Sequence, residues 1–228
     1  MGATPVARRR SLMQTPRTHD AKPSVVIIDD DSVFRDSVGC LLRSVGLHTQ
    51  QFGSVSDFLN ADPSDGPSCL VLDIRMPGGS GLELQRDLAA ANRQVPIIFI
   101  TAHGDIQMTV QAMKGGAIEF LTKPFRDQDL LDAVDAGLAR DRARRESDKA
   151  LGALRERFET LSSREREIMI QVTAGCLNKQ IAFDIGIAES TVKVHRVNLM
   201  RKMQACSLPE LGRMADMLEL APEKPQRA

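Results

Sequence analysis

Tryptophan and tyrosine are missing from this 228-residue chain, and Phe occurs only eight times. Leu, Ile, Phe and ten Met must therefore supply the large packing residues. No stretch approaches the ~18 uninterrupted apolar residues of a membrane span. The first 23 residues carry Arg8, Arg9, Arg10, Arg17 and Lys22 with no apolar run behind them, so they lack the core expected of a secretory signal. They read as a disordered basic tail, with Met13 as an alternative start. Cysteine is sparse: Cys40, Cys69, Cys176 and Cys206 lie far apart among apolar or small neighbours. That pattern offers neither a disulfide frame nor a zinc site, and points to buried thiols in a reducing compartment, hence a cytoplasmic protein. Net charge is missing too, but the zero hides a division. Residues 24–125 hold 12 acids against 7 bases, whereas residues 177–203 set Lys179, Lys193, Arg196, Arg201 and Lys202 against Asp184 and Glu189.

What is present alternates. Short β-branched runs at 25–28, 47–51, 69–72, 95–100 and 117–121 are separated by helix-like stretches at 33–45, 55–61, 81–91 and 106–114. Gly46 can end the first helix, and Ser80 with Glu83 forms a capping box for the third. Such strand–helix repeats describe an α/β fold, a doubly wound five-stranded parallel sheet. From Asp127 onward Leu130, Leu131, Val134 and Leu138 keep helical spacing, then Asp141, Arg142, Arg144, Arg145 and Glu146 make a solvated charge run. After that come four short helical stretches and no strand. The expected organisation is a tail at 1–23, an α/β domain at 24–140, a charged linker helix at 141–158, an all-α domain at 159–220 and a flexible end at 221–228.

In an open parallel sheet, ligands collect beyond the carboxyl ends of the strands, where strand order reverses. Here the first run stops at Asp29, Asp30 and Asp31, the third at Asp73 and the fourth at Thr101, and the fifth is followed by Lys123 and Pro124. Singly these are ordinary turn residues; their gathering at one end of four strands points to a site. Converging carboxylates raise one another's pKa unless a hard cation neutralises them. Oxygen donors with retained waters suit Mg2+. A metal beside an exposed carboxylate points to phosphoryl transfer, in which the protein mainly positions groups and offsets charge. Asp73 would attack phosphorus, Lys123 would supply a point charge, and Thr101 would donate its hydroxyl to the acyl phosphate.

At these residues the chain resembles a family. VVIIDDD at 25–31, LDIRMPG at 72–78, FITAHGD at 99–105 and EFLTKPF at 119–125 match, in order and spacing, the receiver domains of two-component systems, particularly the FixJ-like regulators. The resemblance covers residues 24–125 and implies the CheY-like, flavodoxin-like strand order. It implies that Asp73 accepts phosphate from a partner histidine kinase. It also implies that Asp29, Asp30, Asp73 and the backbone carbonyl of Arg75 hold Mg2+, that Lys123 contacts the phosphoryl group, and that Lys123–Pro124 is cis. Thr101 and Phe120 would form a switch pair: the hydroxyl moves toward the phosphate and the ring turns inward. His103 is then a switch-loop residue, the phosphodonor histidine residing on another protein. Gln107 and Gly79 stand where relatives carry Pro and Met, and Gln107 bears on the start of the fourth helix.

In the second half, Ser162 with Glu165 caps a helix that carries Ile168, Met169 and Val172 and stops at Gly175. A short helix from Asn178 with Ile181, Ala182 and Ile185, the turn at Gly186, and a third helix over 189–203 make a helix-turn-helix. Val192, Leu199 and Met203 share its core side. Lys193, Val194 and Val197 occupy a groove-facing sector suited to guanine edges and thymine methyls, while Lys179, Thr191 and Arg196 suit phosphates. LSSRERE at 161–167, NKQIA at 178–182 and TVKVHR at 191–196 resemble the LuxR-type effector domain, over about 160–220. That resemblance implies a four-helix unit whose third helix reads DNA and whose fourth pairs two protomers. Ser207 and Glu210 cap the fourth helix, and Leu211, Met214, Ala215 and Leu218 form its apolar stripe, shared between the domain's own core and dimerisation. Ala188 stands where relatives often place a capping Ser.

Together the two resemblances imply a phosphorylation-activated transcription regulator, not an enzyme on external substrates. Its expected partners are a sensor histidine kinase, double-stranded promoter DNA, RNA polymerase and a second copy of itself, with no membrane. Two other readings of the same residues are a small Mg2+-dependent aspartyl-phosphate phosphatase and a DNA-binding protein indifferent to phosphorylation.

Overall fold

The computed structural model describes residues 22–61, 66–77, 79–102 and 104–220. The expected basic tail up to residue 21, the reading of His103 and the expected flexible end at 221–228 lie outside these residues. The chain divides into two compact units, 1–143 and 144–228.

The first unit is built on strands β1 (Ser24–Ile28), β2 (His48–Phe52), β3 (Ser68–Asp73), β6 (Ile97–Thr101) and β7 (Glu119–Thr122), all parallel, in the order β2-β1-β3-β6-β7. Between β3 and β6 lies a two-stranded antiparallel pair, β4 (Arg75–Met76) and β5 (Gly79–Ser80), too short for any sequence period to announce. The strands alternate with α1 (Ser32–Ser44), α2 (Val55–Asn60), α3 (Gly81–Ala90), α4 (Ile106–Lys114) and α5 (Asp127–Glu159). β1 and β6 are buried along their whole length, which is why they read as unbroken apolar runs. Ile28, Leu72 and Phe99 fill one face of the sheet; Ile27, Val71, Ile98 and Ile100 fill the other. The fifth strand starts later than the run at 117–121 because Ala117 is still taken by the end of α4, its amide donating to Ala112 O.

α5 begins by burying Leu130, Ala133, Val134 and Leu138 against the second face of the sheet. Asp141 departs from the expected solvated charge run. It is buried, and its Oδ2 accepts from the Ser68 amide at the start of β3, 2.9 Å away. Burial, with that carboxylate nearby, pushes the Cys69 thiol up to about 12, so it stays a neutral packing group.

In the second unit, Leu154 and Phe158 at the end of α5 pack with α6 (Ser163–Thr173), α7 (Asn178–Ile185), α8 (Glu189–Met203) and α9 (Leu208–Met217). Gly186 ends α7 at φ 68°, a left-handed turn that a side chain would strain. Leu211 and Ala215 are enclosed in this unit's own core, so they drop out of the expected dimerisation stripe; Met214 and Leu218 remain half-buried. A side chain that has become core has no surface left for a second protomer.

Glu165 holds this bundle by two ends. Its carboxylate accepts from the Ser162 amide at 2.8 Å, completing the capping box of α6, and from Lys202 Nζ on the last turn of α8 at 2.6 Å. Burial alone would raise the carboxyl, but the bonds from Lys202 and Ser162 outweigh it and hold Glu165 below the usual range. A depressed folded pKa contributes stability above the unfolded value and loses it as pH falls through the folded one. Thermal unfolding between roughly pH 6 and pH 3 should therefore show a falling Tm for the second unit that Glu165→Gln flattens. Glu165→Ala should cost about 1–3 kcal/mol at neutral pH. Identical pH profiles for wild type and the Gln variant would remove Glu165 from the account.

Candidate functional site

At the carboxyl edge of the sheet, β1 delivers Asp29 and Asp30, β3 delivers Asp73, and the turn after β7 delivers Lys123. One carboxylate oxygen from each of Asp29, Asp30 and Asp73 lies within 4.8 Å of the others. Asp29 is buried, Asp73 half-buried and Asp30 exposed, so the cluster opens to solvent on one side. Lys123 Nζ bridges the two less exposed carboxylates, at 2.6 Å from Asp29 Oδ2 and 3.3 Å from Asp73 Oδ2. Burial raises the Asp29 carboxyl above its usual value despite hydrogen bonds from Lys123 and the Asp31 amide. An all-oxygen donor set that is only partly neutralised fits a hard divalent cation.

Backbone geometry fixes these groups. The Arg75 amide, at the start of β4, donates to Asp73 Oδ1 at 3.0 Å and holds the carboxylate's direction. Asp31 does not join the cluster: its side chain caps α1 by accepting from the Val33 and Phe34 amides. Thr101 is buried at the end of β6, and its carbonyl accepts from the Lys123 amide at 2.8 Å. Pro124 follows Lys123 through a cis peptide bond. Phe120 pairs in register with Phe99 and packs half-buried against the sheet core.

Four supporting residues were not legible in the sequence. Arg35 donates to the Asp29 carbonyl at 2.5 Å, bracing the β1–α1 turn from one helical turn away. The Phe34 ring lies 3.6 Å from Lys123 Nζ, a cation–π contact, and meets Phe125 edge-on. Gly81 leaves room for the Asp73 carbonyl, which a Cβ there would approach to 2.4 Å. Gly104 does the same for Phe120, whose ring would stand 2.8 Å from a Cβ. The two glycines follow strand ends, a weak cue; Arg35 and Phe34 give none.

The second unit presents a different surface. Along α8, Val194 and Val197 are 60% and 68% exposed, beside exposed Thr191 and Lys193. Lys193 pairs with Glu189 on its own helix at 3.2 Å. Lys179 is exposed near the start of α7. Arg196 is half-buried, with its guanidinium donating to Asn178 Oδ1, a partner the sequence reading missed. Ala188 leaves α8 without a side-chain cap, as its identity required.

An acid cluster at the switch edge of a five-stranded parallel sheet, joined to a helix-turn-helix with an exposed recognition helix, defines a response regulator with a DNA-binding output. Residues 25–135 match the response regulator receiver domain, and residues 159–215 match the bacterial regulatory proteins of the LuxR family. The chain belongs to the FixJ/LuxR-type response regulators, and is a phosphorylation-activated, DNA-binding transcription regulator rather than an enzyme. It is 52% identical to nodulation protein W of Bradyrhizobium diazoefficiens over 200 residues, 88% of each chain. It is 44% identical to response regulator protein TodT of Pseudomonas putida, again over 88% of each. The solved structure of response regulator StyR matches with a TM-score of 0.77 at 48% identity, covering 86% of this chain and 99% of that one. Membership carries a cognate histidine kinase and DNA binding as a dimer. No helix among the described residues is long and apolar enough to cross a membrane.

The buried Asp29 charge is kept at some cost to the fold, since burial makes its ionised form harder to hold in the folded chain than in the unfolded one. Asp29→Asn should therefore raise the Tm of the metal-free protein at neutral pH and, on the reading of the cluster as a hard-cation site, weaken Mg2+ binding by about tenfold or more. A calorimetric Mg2+ titration beside a melting curve reads both. An unchanged Mg2+ affinity would remove Asp29 from the cation site.

Proposed function

We propose that Asp73 is the phosphoacceptor of this chain. The observation that carries the reading is the Lys123 ammonium shared between Asp29 and Asp73, beside an acid cluster open to solvent. An Asp73 oxygen forms the new bond to phosphorus as the bond to the donor breaks; with a kinase phosphohistidine, the imidazole leaves and takes up a proton. Asp29, Asp30 and Asp73, with the Arg75 carbonyl, would hold Mg2+, which when bound neutralises charge on the phosphoryl oxygens. Lys123 then exchanges part of its contact with Asp73 for a phosphoryl oxygen, and the Thr101 hydroxyl donates to another.

Movement of Thr101 would be relayed through Phe120, whose ring is only half-buried against the sheet core and so is not locked in place by it. The surface that changes is α4, where Ile106, Val110 and Met113 are exposed at spacings of four and three, hence on one face. This apolar face suits a second copy of the chain, so phosphorylation favours a homodimer. In that dimer two recognition helices address a near-palindromic promoter. Lys193, Val194 and Val197 meet base edges, and Lys179, Thr191 and Arg196 meet phosphates. Met214 and Leu218 are what remains of the expected α9 pairing stripe. Recruitment of RNA polymerase and activation of transcription complete the reading, in the cytoplasm, where kinase and promoter are both accessible.

Incubation with radiolabelled acetyl phosphate and Mg2+ should label the wild-type protein, leave Asp73→Asn unlabelled, and increase dimer content and promoter-fragment binding only in the former. Lys123→Ala should take up label but lose the gain in dimer. Equal labelling of wild type and Asp73→Asn, or equal donor-stimulated DNA binding, would sink the reading.

A further inference from the structure

Arg196 is held differently from Lys193, its neighbour on the recognition helix. Lys193 is paired with a carboxylate, Glu189, on its own helix, which cancels part of its charge. The Arg196 guanidinium donates instead to the side-chain carbonyl of Asn178, the first residue of α7, across the two helices of the helix-turn-helix. Both residues are half-buried, while Lys179 and Thr191 are exposed. A guanidinium has five N–H donors, so one bond to Asn178 leaves the rest of the fork for a phosphate. An amide is neutral, so the tether fixes direction without subtracting charge.

We infer that Asn178 is a positioning residue for DNA-backbone recognition, holding the Arg196 guanidinium at the junction of α7 and α8 as a pre-oriented, undiminished cation for one phosphate. The inference rests on the assignment of Arg196 to a phosphate made above. Its physical content is preorganisation. A long side chain loses rotamer freedom when it binds, and a side chain already fixed in the free protein loses less. An Asp at position 178 would orient the fork equally well and neutralise it.

The test measures binding of the full chain, with Mg2+ and acetyl phosphate present throughout, to a short random-sequence duplex over a range of salt concentrations. Phosphate contacts are sequence-independent and set the salt slope. Arg196→Ala should lower the magnitude of that slope by about 1. Asn178→Ala should weaken binding about 3- to 10-fold in the wild-type background and leave it unchanged in the Arg196→Ala background. Asn178→Asp should bind more weakly than Asn178→Ala and show the reduced slope of Arg196→Ala, with no fall in Tm. A purely structural tie between the helices would instead make the Asp variant harmless, since it strengthens the pair; that result would overturn the inference. Additive losses in the double variant would overturn it as well, by giving Asn178 a contact of its own. A wild-type slope in Arg196→Ala would overturn the phosphate assignment itself, and the inference with it.

Discussion

The Lys123 ammonium between Asp29 and Asp73 is the interaction on which the first unit's function depends. Three carboxylates brought together at one sheet edge would repel one another, and in partial burial the repulsion is poorly screened. Lys123 relieves it, with its own charge steadied over the Phe34 ring and its amide tied to Thr101 O. That dual attachment matters. The charge that answers Asp73 is carried just beyond the strand that also carries Phe120, so the proposed phosphoryl group at Asp73 would act on β7 directly.

The second unit shows the same economy of charge in a different place. Its buried carboxylate, Glu165, serves the start of α6 and the end of α8 at once. The recognition helix is thereby fixed at its far end, and by Arg196 and Asn178 near its middle. Val194 and Val197 stay exposed because the helix's other side, Val192, Leu199 and Met203, is fully used in the core. An apolar pair left in solvent on a rigid, basic helix is costly for a free protein, and the proposed contact with thymine methyl groups would offset that cost.

The sequence made the sheet legible because β1, β3 and β6 are central strands buried on both faces, whose composition leaves no other reading. The acid cluster was legible for the same reason: each acid ends such a strand. What stayed hidden depends on contacts between elements distant in sequence. Asp141 looked like one more solvated charge in a polar run, yet it is buried and accepts from a backbone amide distant in sequence, Ser68 N, which helps make that burial tolerable. Leu211 and Ala215 fitted an apolar stripe, but periodicity says only that a face is covered and not what covers it. Arg35, Phe34 and Asn178 have no distinguishing pattern; each acts through one partner that only the fold supplies.

Magnitudes indicate how such a small site can govern the whole chain. A unit charge pair at 4 Å near a protein surface is worth about 4 kcal/mol at an effective dielectric constant of about 20. Moving a two-state element from 1:99 to 99:1 needs about 5.5 kcal/mol. One altered contact at Asp73 falls short of that. The added contacts of a phosphoryl group with Lys123 and Thr101 would make up the difference, because both residues sit on strand ends that bound the α4 segment. The responding element must then be one the core does not lock. Along α4 only Ala112 is buried, and Phe120 is half-buried against Gly104. A fully enclosed ring there, or a methyl group on Gly104, would raise the energy of repacking beyond what local electrostatics can supply.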